Sequence, residues 1–126
     1  MKQTCGVDIV HIPRIKKLVE KHGGPSLENP FIKRVFSKEE IAHIIDRKDP
    51  YPGLAGRFAA KEAVIKALNP FKKIADLKSI KIKGKVPKVE LKDNKLSKLG
   101  ISVSISHDGD YAIALVVVTV LIKTDR

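Results

Sequence analysis

Hydrophobic and polar positions follow two different periods along the chain, and the change from one to the other divides it. Cys5 to Val10 is a short apolar run interrupted by Asp8, which reads as a buried strand with one acid in it. From Ile12 the apolar positions move to Ile12, Ile15, Leu18 and Val19, a helical spacing that tolerates Pro13 in its first turn. Gly23, Gly24 and Pro25 end that helix, and a loop follows. Ser37-Lys38-Glu39-Glu40 is a capping-box signature that opens a helix running to about Asp46. Asp49 to Gly53 holds two prolines and a glycine and reads as a turn. Leu54 to Leu68 is the clearest helix, stopped by Asn69-Pro70.

Beyond that helix the pattern is that of strands. Ser79 to Lys83 alternates, Val86 to Leu91 does so less cleanly, and Leu96 to Gly100 reads as a helical turn. Ile101, Val103 and Ile105 alternate with Ser102, Ser104 and Ser106, a strand with one dry face. Tyr111 to Ile122 is apolar on both faces, so helix, sheet or another subunit must cover it on both sides. No repeat or long linker interrupts the sequence, and residues 1–126 are read as one domain. Strand, helices, then antiparallel strands is an α+β order.

Composition changes this picture mainly through charge. Twenty-five Lys and Arg against fourteen Asp and Glu give a net charge of +11, which favours an anionic partner without choosing among nucleic acid, membrane, phosphorylated ligand and acidic protein. Aromatic residues make up only 5%, so the core must be mostly aliphatic. The single cysteine, Cys5, excludes an internal disulfide framework and a multi-cysteine zinc site, and an apolar run with no cation near it in sequence makes it inert. The stretch Met1 to Gly6 has no apolar signal core, and the twelve residues from Tyr111 to Ile122 fall short of the ~20 a membrane helix needs. A soluble protein of a reducing compartment is the expectation.

Three places concentrate candidate chemistry. On a helical wheel of Leu54 to Leu68, Leu54, Phe58, Ile65 and Leu68 share one arc, and alanines at 55, 59, 60, 63 and 67 fill most of the opposite side. Arg57, Lys61, Glu62 and Lys66 sit between these apolar surfaces, with Glu62 and Lys66 one i,i+4 pair and Arg57 and Lys61 another. They are either a solvated edge or charges held at a cleft. Asp8 stands alone where a strand would bury it, and such a carboxylate needs a cation, a metal or several N–H donors. It is either a strand-end acid bonded to the next helix or to Arg14, or it joins Glu62 in holding Mg²⁺, which commonly takes one or two carboxylates and completes its shell with water and phosphate. Third, the serines of Ser102-Val103-Ser104-Ile105-Ser106-His107-Asp108 line one strand face ending at His107, which is either a polar strand face with a loop histidine or a phosphate-binding edge. Ser106 and His107 cannot act as a nucleophile–base pair, because adjacent strand residues point to opposite faces.

Taken together these segments resemble the holo-acyl-carrier-protein synthases, the small 4′-phosphopantetheinyl transferases. Gly6-Val7-Asp8-Ile9-Val10 with Arg14 is similar to their opening strand and first helix, and Phe36-Ser37-Lys38-Glu39-Glu40 to a helix start they share. Leu54-Ala55-Gly56-Arg57-Phe58-Ala59-Ala60-Lys61-Glu62-Ala63, followed by Lys66-Ala67-Leu68, resembles their central signature almost unaltered. Ser102 to His107, then Tyr111-Ala112, is similar to their C-terminal one. The likeness runs from about residue 5 to 118, with four motifs in register. Two departures stand out: Asn69-Pro70-Phe71-Lys72-Lys73 replaces a glycine-rich turn, and Gly84-Lys85-Val86-Pro87 carries one residue more than the family's Gly-Lys-Pro, enough to shift a register or form a bulge.

The resemblance implies an N-terminal strand and helices packed on an antiparallel sheet and assembled as a homotrimer, with coenzyme A bound between neighbours. It implies Mg²⁺-dependent transfer of 4′-phosphopantetheine from coenzyme A to a serine of an acidic apo acyl carrier protein in the cytoplasm, with release of adenosine 3′,5′-bisphosphate. By position Asp8 and Glu62 would hold Mg²⁺, and Lys66 would stabilise or protonate the leaving phosphate. Arg57 and His107 would bind coenzyme A phosphates with Lys61 as a helper, and Arg14, Lys17 and Lys21 would dock the carrier. The general base stays open among Glu62, a water on the metal and a carboxylate of the carrier. The rival from another class is a small basic nucleic-acid-binding domain, favoured by net charge but opposed by scattered lysines and few aromatic platforms.

Overall fold

Two separate antiparallel ladders frame the chain in the computed structural model, which describes residues 2–71, 76–92, 96 and 99–120. In order the elements are β1 (Lys2–His11), α1 (Ile12–Lys21), α2 (Pro30–Val35), α3 (Lys38–Ile45), α4 (Tyr51–Leu68), a short 3-10 turn (Leu77–Ser79), β2 (Ile80–Lys83), β3 (Lys88–Leu91), β4 (Leu99–Asp108) and β5 (Tyr111–Val120). The main sheet has the order β1-β5-β4, and β2 pairs only with β3. Its register sets Asp8, Ala114 and Ile105 in one row and Val10, Ala112 and His107 in the next. Asp8 and His107 therefore face the same side of the sheet, two strands apart.

Helix α4 lies on that side. Small residues bring its backbone close to the strands: a Cβ on Gly6 would collide with the Ala63 carbonyl oxygen, and one on Gly56 would stand 2.7 Å from the Ile105 side chain. Thr4 Oγ1 donates to the Ala67 carbonyl at 2.6 Å, stitching strand to helix. The opposite side of α4 carries the buried Leu54, Val64 and Leu68 against α1, α3 and β2. A helix covered on both sides has no broad polar face, which is the pattern seen in its sequence.

Among the described residues, the strand β5 is covered on one face only. Ala112, Ala114, Val116 and Val118 are buried under α4, whereas Tyr111, Ile113 and Leu115 on the other face are exposed, alongside Val7 and Ile9 of β1. Leu121 and Ile122, expected in the same strand, lie outside the described residues. Cys5 shares that outer face and is exposed rather than buried.

Several sequence expectations need correction. The stretch read as loop after Gly24 contains α2, capped by the buried Asn29, whose Oδ1 accepts from Phe31 and Ile32 while Nδ2 donates to the Val19 and Gly24 carbonyls. The region 49–53 is only in part a turn: α4 begins at Tyr51, because Pro52 stands in its first turn, where a missing N–H costs nothing. Leu99 and Gly100 belong to β4 and not to a helical turn, and residues 97–98 lie outside the described set. The capping box of Ser37 and Glu40 forms as the sequence indicates.

Candidate active site

Strand β1 and helix α4 bring three of the expected side chains together. Lys66 Nζ donates to Asp8 Oδ1 at 3.2 Å and to the Val7 carbonyl at 2.9 Å, so it crosses to the strand instead of closing the expected pair with Glu62. Glu62 stands next to this pair. Burial raises its carboxyl above the usual range, the Asp8 charge adds to that, and Lys66 and Arg14 act against it. Two carboxylates close enough to repel make a hard, all-oxygen donor set suited to Mg²⁺. Among the described residues no group of three or more His, Cys, Asp or Glu side chains gathers, so a metal here would draw its other ligands from water and substrate.

Arg57 and His107 meet in a different place, a cleft of about 630 Å³ between α3, the start of α4, the β2–β3 turn and β4. The sequence reading placed these two near phosphate, and the fold adds His43, Arg47 and Lys85, which it had not singled out. Arg57 is nine-tenths buried; its Nη2 donates to the Gly84 carbonyl at 2.6 Å and lies 3.4 Å from His43 Nε2. Its Nε is buried with no hydrogen-bond partner among the described residues. The β2–β3 turn with the additional residue supplies Gly84, held at φ +88°, together with Lys85 and Pro87 of the cleft wall. No bulge appears in the β2–β3 ladder, where Lys83 pairs directly with Lys88.

The two groups lie on different faces of one helix. Arg57 and Glu62 are five positions apart on α4, about 7.5 Å along the axis and about 140° around it. A single chain thus presents a carboxylate pair and a cationic cleft that do not open onto each other.

Lys61, expected to help bind coenzyme A, is elsewhere. It is fully buried, and its ammonium donates to the Val35 carbonyl at 2.7 Å, Glu40 Oε1 at 2.8 Å and the Leu77 carbonyl at 3.0 Å. Glu40 also accepts from the backbone N–H groups of Ser37 and Ile82. All three Lys61 donors are used, and the residue joins α4 to α2, α3 and the turn before β2. Arg14, Lys17 and Lys21 are exposed on α1, at a spacing that gives them a common side, while Ile12, Ile15 and Val19 face the core. The region 72–73 of the altered turn lies outside the described residues.

The sequence model of the 4′-phosphopantetheinyl transferase superfamily matches residues 4–116. The holo-acyl-carrier-protein synthase of Leptospira biflexa is 43% identical over 124 residues, covering 90% of this chain and 94% of its own. The chain belongs to the holo-acyl-carrier-protein synthase family of that superfamily. Membership makes it a transferase enzyme of that family. The synthase of Thermodesulfovibrio yellowstonii is 42% identical, with 94% and 100% of the two chains covered. In structure it is similar to the ACPS–CoA complex of Chronobacterium ammoniagenes, with a TM-score of 0.80 and 30% identity over 97% of this chain and 100% of that one. The Helicobacter pylori holo-acyl-carrier-protein synthase in complex with coenzyme A gives a TM-score of 0.75 and 35% identity, covering 91% and 99%. No helix among the described residues is long and apolar enough to cross a membrane.

Proposed function

We propose that this chain moves the 4′-phosphopantetheine arm of coenzyme A to a serine hydroxyl of an apo acyl carrier protein, releasing adenosine 3′,5′-bisphosphate. The observation that carries the reading is α4 itself, which combines Glu62 and Lys66 beside Asp8 on one face with Arg57 in a cationic cleft on another. The serine oxygen bonds to phosphorus as a P–O bond of the pyrophosphate breaks, so the protein contributes position and charge. Asp8 and Glu62 are the residues to hold Mg²⁺, which when bound supplies Lewis-acid polarisation of the pyrophosphate. Lys66 offers an ammonium for the charge that grows on the leaving phosphate. Arg57 and His107, with Arg47 and Lys85 around them, bind the nucleotide phosphates of coenzyme A.

Arg14, Lys17 and Lys21 form the docking side for an acidic carrier, in keeping with a net charge of +11. A homotrimer with coenzyme A between neighbours suits both the exposed apolar row of Val7, Ile9, Ile113 and Leu115 and the separation of the carboxylate pair from the cleft. A cytoplasmic, reducing setting suits the exposed free Cys5. Chromatography of reactions containing coenzyme A, Mg²⁺ and an apo carrier tests the proposal: adenosine 3′,5′-bisphosphate should accumulate only when all three are present. Intact coenzyme A after prolonged incubation with several carriers would remove it, and salt-sensitive binding to DNA or RNA would then favour the basic binding module.

A further inference from the structure

His43 is the cleft histidine whose ring lies against the Arg57 guanidinium. Arginine can only donate, so in a hydrogen bond across the 3.4 Å between Arg57 Nη2 and His43 Nε2 that nitrogen is the acceptor. His43 is then a neutral imidazole with its proton on Nδ1. Its surroundings agree: it lies in the last turn of α3 facing Arg57 of α4, Arg47 beyond its own helix and Lys85 of the β2–β3 turn, with His107 of β4 and Asp49 in the same cleft. Burial and those three cations all push the imidazole below its ordinary range.

We propose that His43 is a proton-linked positioning residue of the cleft, neutral and accepting from Arg57 while cations surround it, and protonated once a phosphate dianion stands among them. The inference rests on the nucleotide-binding reading of the cleft. Burial is the larger cause that keeps His43 neutral, and the three cations add to it. A dianion beside Arg57, Arg47 and Lys85 offsets the cations' part, so the imidazole gains a proton from solvent and gives up its contact with Arg57 Nη2, which keeps its bond to the Gly84 carbonyl. Binding of the anion and of the proton then favour each other by linkage, and anion affinity rises as pH falls toward the imidazole range. His43 touches Arg57 and acts through it, a role that neither the two carboxylates nor Lys66 can supply from their own face of α4.

Calorimetric titration of the full chain with adenosine 3′,5′-bisphosphate, repeated at about pH 7 in buffers of different ionisation enthalpy, measures the protons taken up. Wild-type protein should take up several tenths of a proton more than His43→Gln. Its affinity should also fall more steeply with rising pH. The phosphate's own proton is common to both proteins and cancels in the difference. Equal uptake in the two, with binding retained, overturns the role of His43 and leaves the cleft reading standing. No binding to the wild type overturns the cleft reading itself. Nitrogen NMR of the wild-type imidazole gives the same decision without a substitution: an Nδ1-protonated neutral ring before ligand and imidazolium after it are expected. An imidazolium in both states, or a neutral ring in both, overturns the proposal.

Discussion

Lys66 reaches from α4 to Asp8 on β1, its ammonium 3.2 Å from the carboxylate, and leaves Glu62, its own neighbour one turn earlier, without that contact. The cation therefore engages one of the two carboxylates proposed for magnesium, in a place where more than half of the Lys66 side chain is open to solvent. Competition between the two cations follows. Lys66→Met is expected to lower kcat strongly while tightening Mg²⁺ binding severalfold in calorimetric titration. Weaker or unchanged Mg²⁺ binding would mean that Lys66 and the metal do not share Asp8.

Glu62 provides a prediction with a defined sign. Its carboxyl is raised above the ordinary glutamate range, chiefly by burial and then by Asp8. A folded-state pKa above the unfolded one means that the fold favours the protonated acid. The contribution is fully present below about the unfolded value and is lost as pH rises through the folded one. Glu62→Gln keeps the neutral shape, so at neutral pH its melting temperature should equal or exceed that of the wild type, and the advantage should vanish in acid. Transfer should be abolished, and Mg²⁺ should raise the melting temperature of the wild type only. Full activity in this variant would refute the metal assignment.

Lys61 and Glu40 should behave as a buried pair. Removing one partner, as in Lys61→Met or Glu40→Gln, strands the other and should cost about 3–5 kcal/mol in denaturant unfolding. Lys61→Met combined with Glu40→Leu should recover much of that loss. Molecules that remain folded should keep their KM for coenzyme A, because neither residue lines the cleft. A rise in that KM without loss of stability would return Lys61 to the binding site.

Much of this arrangement was readable in the residues because it is local. The capping box needs only Ser37 and Glu40 three positions apart, and the strand from Ile101 to Ile105 needs only its period of two. Expectation failed where two local signals competed: Pro52 and Gly53 look like a turn, yet Pro52 serves as a helix start. Asn29-Pro30 was a usable cap signal for α2. The cleft was the least readable part. His43, Arg47 and Lys85 come from separate segments that meet Arg57 only after β2 and β3 fold against α3 and α4. The charge pattern on α4 grouped Lys61 with Arg57, Glu62 and Lys66 as edge or cleft charges, and its burial against Glu40 depended on tertiary packing.

Docking of an acidic carrier on α1 should be electrostatic. Arg14→Ala is expected to raise the KM for the carrier with little change in kcat, and to make that KM less sensitive to salt. An unchanged KM would move the docking surface off the Arg14, Lys17 and Lys21 side of the helix.

The most direct measurement of the central claim is the intact mass of an apo acyl carrier protein after incubation with this chain, coenzyme A and Mg²⁺. The account predicts a gain of one phosphopantetheine per carrier, lost on addition of EDTA and lost with Glu62→Gln. An unchanged carrier mass across several carriers, or full modification in the presence of EDTA, would contradict it.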